Sequence, residues 1–164
     1  MKIYLCVAIV LFSGLIGASI KNQFNKKIAY FNEIDMFLHF LLIKIAFFKD
    51  SMPIAINNFM SINKLKNANF FNELLCIFKT QSLNANQFKN ILPNFITNEE
   101  SQQLFNIFYS ISICSLEEQN QLINNHIKAN YLNIQKYKNL KINKGDIATK
   151  ISICIGLVIS ILIY

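Results

Sequence analysis

Two apolar stretches bracket the chain: IYLCVAIVLFSGLIGASI at residues 3–20 and ISICIGLVISILIY at residues 151–164. The first holds 18 residues without a charge, and the second holds 14. All 22 asparagines fall between Asn22 and Asn143, so the composition changes sharply at both borders. This pattern predicts a chain anchored in a membrane at both ends, with a more polar domain between the anchors.

The length of each apolar stretch decides whether it can cross a bilayer. Residues 3–20 cover about 27 Å as a helix, close to a hydrocarbon thickness of roughly 30 Å. The second stretch is shorter, and its length also fits a buried core helix. Starting it at Ile147 adds enough residues to span and includes Lys150, whose amine can reach the headgroups. We therefore predict a transmembrane helix at residues 1–20, a helical bundle at 21–146 and a second transmembrane helix at 147–164.

Lysines beside the two predicted spans indicate their orientation. Lys2 alone precedes the first span, and no basic residue follows the second. By the positive-inside rule, the middle of the chain is expected in the cytoplasm, with both termini pointing outward. A solvated helix face is the plainer interpretation, and contact with anionic headgroups is an added possibility. The lysines concerned are Lys21, Lys26, Lys27, Lys136, Lys138, Lys141, Lys144 and Lys150.

A cleaved signal peptide is the alternative interpretation of the first stretch. Lys2, the apolar run and the small residues at 17–19 fit that template. Cleavage would leave the middle outside the cell, tethered by the C-terminal helix. The length of the run and the lysines on its far side favour an uncleaved span.

Charge and cysteine content narrow the classes of function. The net charge is +7, from 16 lysines and no arginine, and the mean hydropathy is +0.33. Because arginine is absent and the aromatics occupy apolar helical positions, we predict no nucleic-acid binding. The four cysteines show no metal-like spacing and are expected to be free thiols.

The middle of the chain has a helical pattern, with one glycine (Gly145) and two prolines (Pro53 and Pro93). Apolar residues at three- and four-residue steps predict one long helix leading out of the first span. Further helices are predicted at 53–66, 69–80 and 84–92, and capping-box spacings at 97–100 and 115–118 open two more. Gly145 is a predicted kink. The two stripes are Phe24, Ile28, Phe31, Ile34, Leu38, Leu41, Ile45 and Phe48, and then Ile123, Ile127, Tyr131, Ile134, Tyr137 and Leu140.

Catalytic motifs are missing from the sequence. No phosphate-binding loop, nucleophile elbow or metalloprotease motif occurs. His126 has no acidic residue or second histidine one helical turn away, and His39 has only Asp35. A Cys114–His126 thiol site therefore lacks an orienting acid. We therefore expect no enzyme activity, no catalytic residue, no cofactor and no metal site.

Small residues four apart occur within both predicted spans. Such ridges let membrane helices approach closely, although ordinary small-residue content explains them equally well. If the ridges pack, they join the two spans to each other or to another membrane subunit. The candidate packing residues are Ser13, Gly14, Gly17, Ala18, Ser152, Gly156 and Ser160.

The order of these features resembles the stage III sporulation protein AB family over nearly the whole chain. The shared features are a late glycine in the first span (Gly17), the basic Lys27, the following apolar ladder, a helix opening PIAI at residues 53–56, and Gly156 in the last span. The segment ISICSLEEQ at residues 111–119 is similar to a family pattern L-G-x-x-D-x-x-x-Q. Here serine replaces its glycine and its acid, lysine occupies an acidic position at 44, and serine replaces a glycine at 152.

The resemblance implies a non-enzymatic part of the channel that joins mother cell and forespore, with the bundle in the mother-cell cytoplasm. It implies a helical bundle similar to the F domains of the type II secretion platform, set between a cytoplasmic secretion-type ATPase and membrane subunits. An unrelated two-span scaffold or channel-forming protein is the alternative, and a membrane-bound thiol enzyme using Cys114 is a third hypothesis. Lipid membrane is an expected partner in the first two cases.

Overall fold

The computed structural model describes residues 2–44, 50–80, 83–114 and 116–163. Within those residues every regular element is helical and no strand occurs, so the predicted all-α class is confirmed. The elements are α1 (Lys2–Ile43), α2 (Met52–Ile62), α3 (Ala68–Lys79), α4 (Ala85–Asn90), α5 (Asn98–Ile113), α6 (Leu116–Leu140), a π-helical segment (Lys141–Asp146) and α7 (Ile147–Ile163).

The helices form two compact units. The hairpin unit comprises Met1–Ile28 and Ile134–Tyr164, and the bundle unit comprises Ala29–Asn133. Helix–helix contacts do not locate a membrane surface, because helices continue to pack beyond the lipid. The predicted borders after residues 20 and 146 therefore stay a prediction.

Two helical stretches are long and apolar enough to cross a membrane. They are Cys6–Ile43 and Glu118–Leu162, judged by length and composition. Only 6% and 17% of their most apolar 18-residue parts are buried inside the structure. The core helix of a soluble protein would bury most of such a part. The low burial favours lipid contact over the buried-helix alternative for the C-terminal stretch.

Aromatic side chains fill the core of the bundle unit. Phe37 of α1 contacts Phe59 of α2 and Phe71 of α3, with ring centroids 5.2 and 5.6 Å apart in edge-to-face geometry. Full burial of one phenylalanine contributes roughly 1.5–3 kcal/mol, whereas an asparagine in a helix costs up to about 0.7 kcal/mol relative to alanine. Burial of the apolar stripes can therefore hold helices that contain many asparagines.

The long helix predicted after the first span is present as the second half of α1. Four members of its predicted stripe are at most 1% exposed, namely Phe31, Ile34, Leu38 and Leu41. Phe24 and Ile28, in the hairpin unit, are half-buried. Ile45 and Phe48 lie outside the described residues.

The ends of α3, α4 and α5 agree with the predictions to within two residues, whereas the end of α2 does not. This helix ends at Ile62 rather than at residue 66, because Asn63 takes an extended conformation with φ −112° and ψ 137°. The capping box that opens α5 is confirmed: Thr97 Oγ1 accepts from the Glu100 backbone N–H, and Glu100 Oε2 accepts from that of Thr97. The second predicted box includes Ser115, which lies outside the described residues.

The last long helix differs from its predicted pattern at two places. Tyr131, predicted on the apolar stripe, is 56% exposed, whereas its neighbour Asn130 is 1% exposed. Steps of four and three residues from Ile123 lead to 127, 130 and 134, so a polar residue occupies the buried position. Around Gly145 the chain is π-helical rather than α-helical, and the kink predicted there stays a prediction.

Candidate functional site

Glycines bring α1 and α7 into close contact in the hairpin unit. A Cβ atom placed on Gly17 would lie 2.6 Å from Thr149 Cα and 3.2 Å from the Ala148 carbonyl oxygen. A Cβ on Gly156 would overlap the Ser13 hydroxyl and lie 3.2 Å from Val10 Cα. Larger side chains do not fit at either glycine without displacement of backbone. The two helices therefore approach at backbone distance, as small residues permit in membrane helices.

Hydrogen bonds join the same two helices near the chain termini. Ser160 Oγ donates to the Cys6 carbonyl at 3.1 Å and also lies 2.8 Å from the Gly156 carbonyl of its own helix. The Cys6 thiol donates in return to the Ser160 carbonyl at 3.4 Å. Residue numbers rise along α1 as they fall along α7 through these contacts, so the two helices are antiparallel.

Some of the predicted small residues lie in this helix contact, and others lie beside it. A Cβ atom placed on Gly14 would lie 3.9 Å from Ile153 Cγ1, which is ordinary van der Waals distance. Ala18 is exposed. A helix turns by about 100° per residue, so Ala18 is rotated by that angle from Gly17 and lies outside the contact, whereas Gly14 lies at its edge. The packed members are Ser13, Gly17, Ser152, Gly156 and Ser160.

An ion pair lies at the polar end of the helix contact. Lys21 Nζ of α1 is 2.7 Å from Asp146 Oδ1 at the end of the π-helical segment. The hydrogen bond from Lys21 and the charges of Lys21, Lys141 and Lys150 hold the pKa of Asp146 below its usual value, against a smaller opposing effect of desolvation. A Cβ on Gly145, the preceding residue, would lie 3.4 Å from Lys21 Cα. Sequence reasoning missed this pair, although Asp146 is the only acid near the second span.

The other predicted boundary lysines lie in varied settings. Lys27 Nζ lies 3.4 Å from the Tyr137 hydroxyl and 4.8 Å from its ring centroid, and Lys136 Nζ lies 5.7 Å from the same centroid. Lys27 and Lys141 are half-buried. The exposed members are Lys26, Lys136, Lys138, Lys144 and Lys150.

In the bundle unit, a buried carboxylate of α1 bonds to the connection between α2 and α3. Glu33 Oε1 accepts from the Lys66 backbone N–H at 2.7 Å, and Oε2 accepts from the backbone N–H and the side-chain amide of Asn67 at 3.1 and 2.8 Å. These bonds explain why α2 ends early, because the chain must turn to present two N–H groups to Glu33. Burial, assisted by the charge of Glu33, raises the pKa of Tyr30 well above its usual value.

A buried amide joins α6 to α1 within the bundle unit. Asn130 Nδ2 donates to the Phe31 carbonyl at 3.0 Å and to Asp35 Oδ1 at 3.1 Å. Sequence reasoning missed Asn130 because asparagine is usually exposed.

Near the start of α6, Gln119 Nε2 donates to the carbonyls of Ile111 and Cys114. This glutamine, which ends the segment that carries the family resemblance, thereby satisfies carbonyls at the end of α5.

His126, the histidine of the hypothetical Cys114–His126 thiol site, shares a hydrogen bond with a serine hydroxyl. His126 Nε2 lies 2.9 Å from Ser110 Oγ, and that hydroxyl also lies 3.1 Å from the Ile107 carbonyl. When the hydroxyl donates to the carbonyl, the imidazole is the donor in the Ser110–His126 hydrogen bond. Burial lowers the pKa of His126 from its usual 6.5. Across the described residues, no three metal-ligating side chains group together.

Comparison with known proteins gives one result. The family model for stage III sporulation protein AB matches residues 2–164. No curated protein and no solved structure shows a significant match to the chain.

Proposed function

Since the chain belongs to the stage III sporulation protein AB family, we propose that it is a membrane-anchored adaptor of the channel between mother cell and forespore. In this role the bundle links a cytoplasmic secretion-type ATPase to membrane subunits of the channel. The adaptor is non-enzymatic, and its contribution is to hold a protein surface at the membrane. Family membership supports a role in sporulation, and the adaptor role is our extension of it.

The observation that carries the proposal is the attachment of a helical bundle to two membrane-length helices. α1 is a single helix from Lys2 to Ile43, so the first anchor and the first bundle helix are one element. Among the described residues, the Glu33 carboxylate and the Asn130 side-chain NH₂ group bond to backbone and to neighbouring side chains. Such groups stabilise a fold. An anchored bundle with this interior is suited to binding partners on its outside.

The distribution of lysines supports one orientation of the two spans. Lys21, Lys26 and Lys27 follow the first span, and five more lysines lie before or at the start of the second. The positive-inside rule supports a bundle in the mother-cell cytoplasm with both termini outward. An ATPase that uses cytoplasmic ATP needs its adaptor on that side.

Deletion of the gene tests the sporulation role. The mutant should form few spores and should lose late forespore gene expression. Reintroduction of the Cys114→Ala variant should restore both as well as the wild-type gene does, because the adaptor needs no thiol chemistry. Normal sporulation in the deletion mutant would refute the proposal, and failure of Cys114→Ala despite normal protein level would favour a thiol enzyme.

Affinity purification tests the partner. A tagged full-length chain, extracted with detergent from sporulating cells, should retain the secretion-type ATPase, while a tagged unrelated two-span protein should not. If the ATPase is absent and the purified chain conducts ions in lipid bilayers by itself, the channel-forming alternative is the better description.

A further inference from the structure

One face of α7 is apolar and exposed. Gly156 and Ser160, which pack on α1, lie on a different side of α7. Ile151, Ile155 and Val158 on the apolar face are each more than half exposed. The face forms a shallow groove along the helix, and a lysine lies at its polar end. The groove is lined by Lys150, Ile151, Cys154, Ile155, Val158 and Ile159.

Positive charge exceeds negative charge at the polar end of this groove. Lys21, Lys141 and Lys150 all act on the single carboxylate of Asp146, which is paired at 2.7 Å with Lys21. Lys150 follows Asp146 by four residues and therefore lies on the same side of the helix. Because Lys21 is paired with Asp146, the charges of Lys141 and Lys150 leave a surplus of two positive charges at this end.

The helix contact fixes the depth of Lys150 in the hairpin unit. Gly17 packs against Ala148 and Thr149, so Lys150 lies level with Gly17. Lys21 is four residues further along α1, or about 6 Å towards the polar side. A lysine at that depth is costly in hydrocarbon unless its amine reaches a polar partner. A phosphate at the headgroup level is within the reach of an extended lysine side chain.

The side chains of the groove distinguish a lipid from a second helix. Close contact between membrane helices favours glycine, alanine and serine, and on α7 Ser152, Gly156 and Ser160 are used on α1. The groove offers branched isoleucine and valine side chains, which suit a flexible acyl chain. Its lysine is complementary to a negative headgroup.

We propose that the outer face of α7 is a binding site for one anionic phospholipid, with an acyl chain along the groove and the phosphate on Lys150. The proposal rests on membrane insertion of the hairpin unit and is independent of the adaptor role. Phosphatidylglycerol is a suitable probe of the anionic class.

The test measures lipid selectivity of the full-length chain in phosphatidylcholine nanodiscs. Spin-labelled phosphatidylglycerol and phosphatidylcholine are compared by the immobilised fraction of their spectra. Since one lysine near a membrane surface contributes on the order of a fivefold factor, wild type should prefer phosphatidylglycerol by at least about fivefold. Lys150→Gln removes one of the two surplus charges and should lower the preference about fivefold. Lys144→Gln removes an exposed lysine outside the groove and should retain it.

A second pair of variants tests the groove separately from the charge. Ile155→Trp fills the groove and should reduce the immobilised phosphatidylglycerol, whereas Ile161→Trp alters an exposed residue outside it and should not. Excess glycerol phosphate should fail to displace the lipid, because it has no acyl chain.

Several results would overturn the proposal. These are equal immobilisation of the two lipids by wild type, equal effects of the two lysine variants, or displacement by glycerol phosphate. A wild-type dimer that Ile155→Trp dissociates would show that a second chain occupies the face. None of these outcomes bears on recovery of the ATPase, so this proposal can fail while the adaptor role stands.

Discussion

At the residue scale, Glu33 shows how a charged group stabilises an aromatic-rich bundle. Glu33 is 8% exposed, and its carboxylate accepts three hydrogen bonds from Lys66 and Asn67. Glu33→Ala leaves two backbone N–H groups without their acceptor, and the free energy of unfolding should fall by about 2–3 kcal/mol. Urea unfolding in detergent micelles, followed by circular dichroism, measures this loss. Glu73→Ala, at an exposed site on α3, is the control, and an equal effect of the two variants would contradict the assignment.

His126 provides a second prediction at this scale, for pH dependence. Burial lowers the pKa of His126 from 6.5, so the folded bundle holds the neutral imidazole more strongly than the unfolded chain does. At alkaline pH the imidazole is neutral in both states and makes no proton-linked contribution. As pH falls through 6.5, the unfolded chain binds the proton first and stability is lost, until the folded imidazole is protonated as well.

His126→Gln should remove this component of the pH dependence. We expect wild type to lose more stability than the variant between about pH 7.5 and pH 5. The measurement is the difference in unfolding free energy between the two proteins at several pH values. A difference that does not change with pH would refute the prediction.

At the element scale, the caps of α5 and α2 form a natural pair for comparison. Thr97 accepts a bond from Glu100 at the start of α5, whereas Ser51 at the same position of α2 makes no side-chain cap bond. Thr97→Ala should therefore cost about 1 kcal/mol of unfolding free energy. Ser51→Ala should have little effect on the same unfolding curve. A larger loss for Ser51→Ala would show that the capping geometry is misassigned.

The contact between α1 and α7 is testable by disulfide formation. Ser160→Cys, in a chain that keeps only Cys6 of its native cysteines, should form a disulfide in membranes, because Ser160 and Cys6 exchange hydrogen bonds. Protease cleavage within the bundle and a non-reducing gel reveal the link. The exposed Leu162→Cys position should not react. Gly156→Leu should lower the yield by forcing the helices apart.

This experiment also decides between a span and a cleaved signal peptide. Removal of residues 1–20 would remove Cys6, and no disulfide with residue 160 could form. Absence of the link in a stable, full-length protein would instead contradict the helix pairing.

At the scale of the whole molecule, the position of the bundle relative to the membrane is the deciding property. Cys76 lies exposed on α3, so its thiol can react wherever reagent is present. In a variant that keeps only Cys76, a membrane-impermeant maleimide should leave intact mother cells unlabelled and should label permeabilised cells. The reason is that the lysine distribution favours a cytoplasmic bundle. Rapid labelling of intact cells would place the bundle outside.

The sequence by itself determined the features that depend on neighbouring residues. The all-α class, the two membrane-length helices, the buried stripe of α1 and the Thr97 capping box follow from local periodicity and spacing. The small-residue pattern named Gly17 and Gly156 as candidates for packing, but it named Ala18 on the same terms.

Only the tertiary structure decided the features that depend on residues far apart in the chain. Glu33 ends α2 because it accepts hydrogen bonds from Lys66 and Asn67. Asn130 lies in the core because it donates to the Phe31 carbonyl. Lys21 forms an ion pair with Asp146. Each of these polar groups is stabilised by a partner that sequence periodicity does not specify. Apolar burial requires only a face of the right period, whereas a buried or boundary polar group requires one particular partner at hydrogen-bond distance.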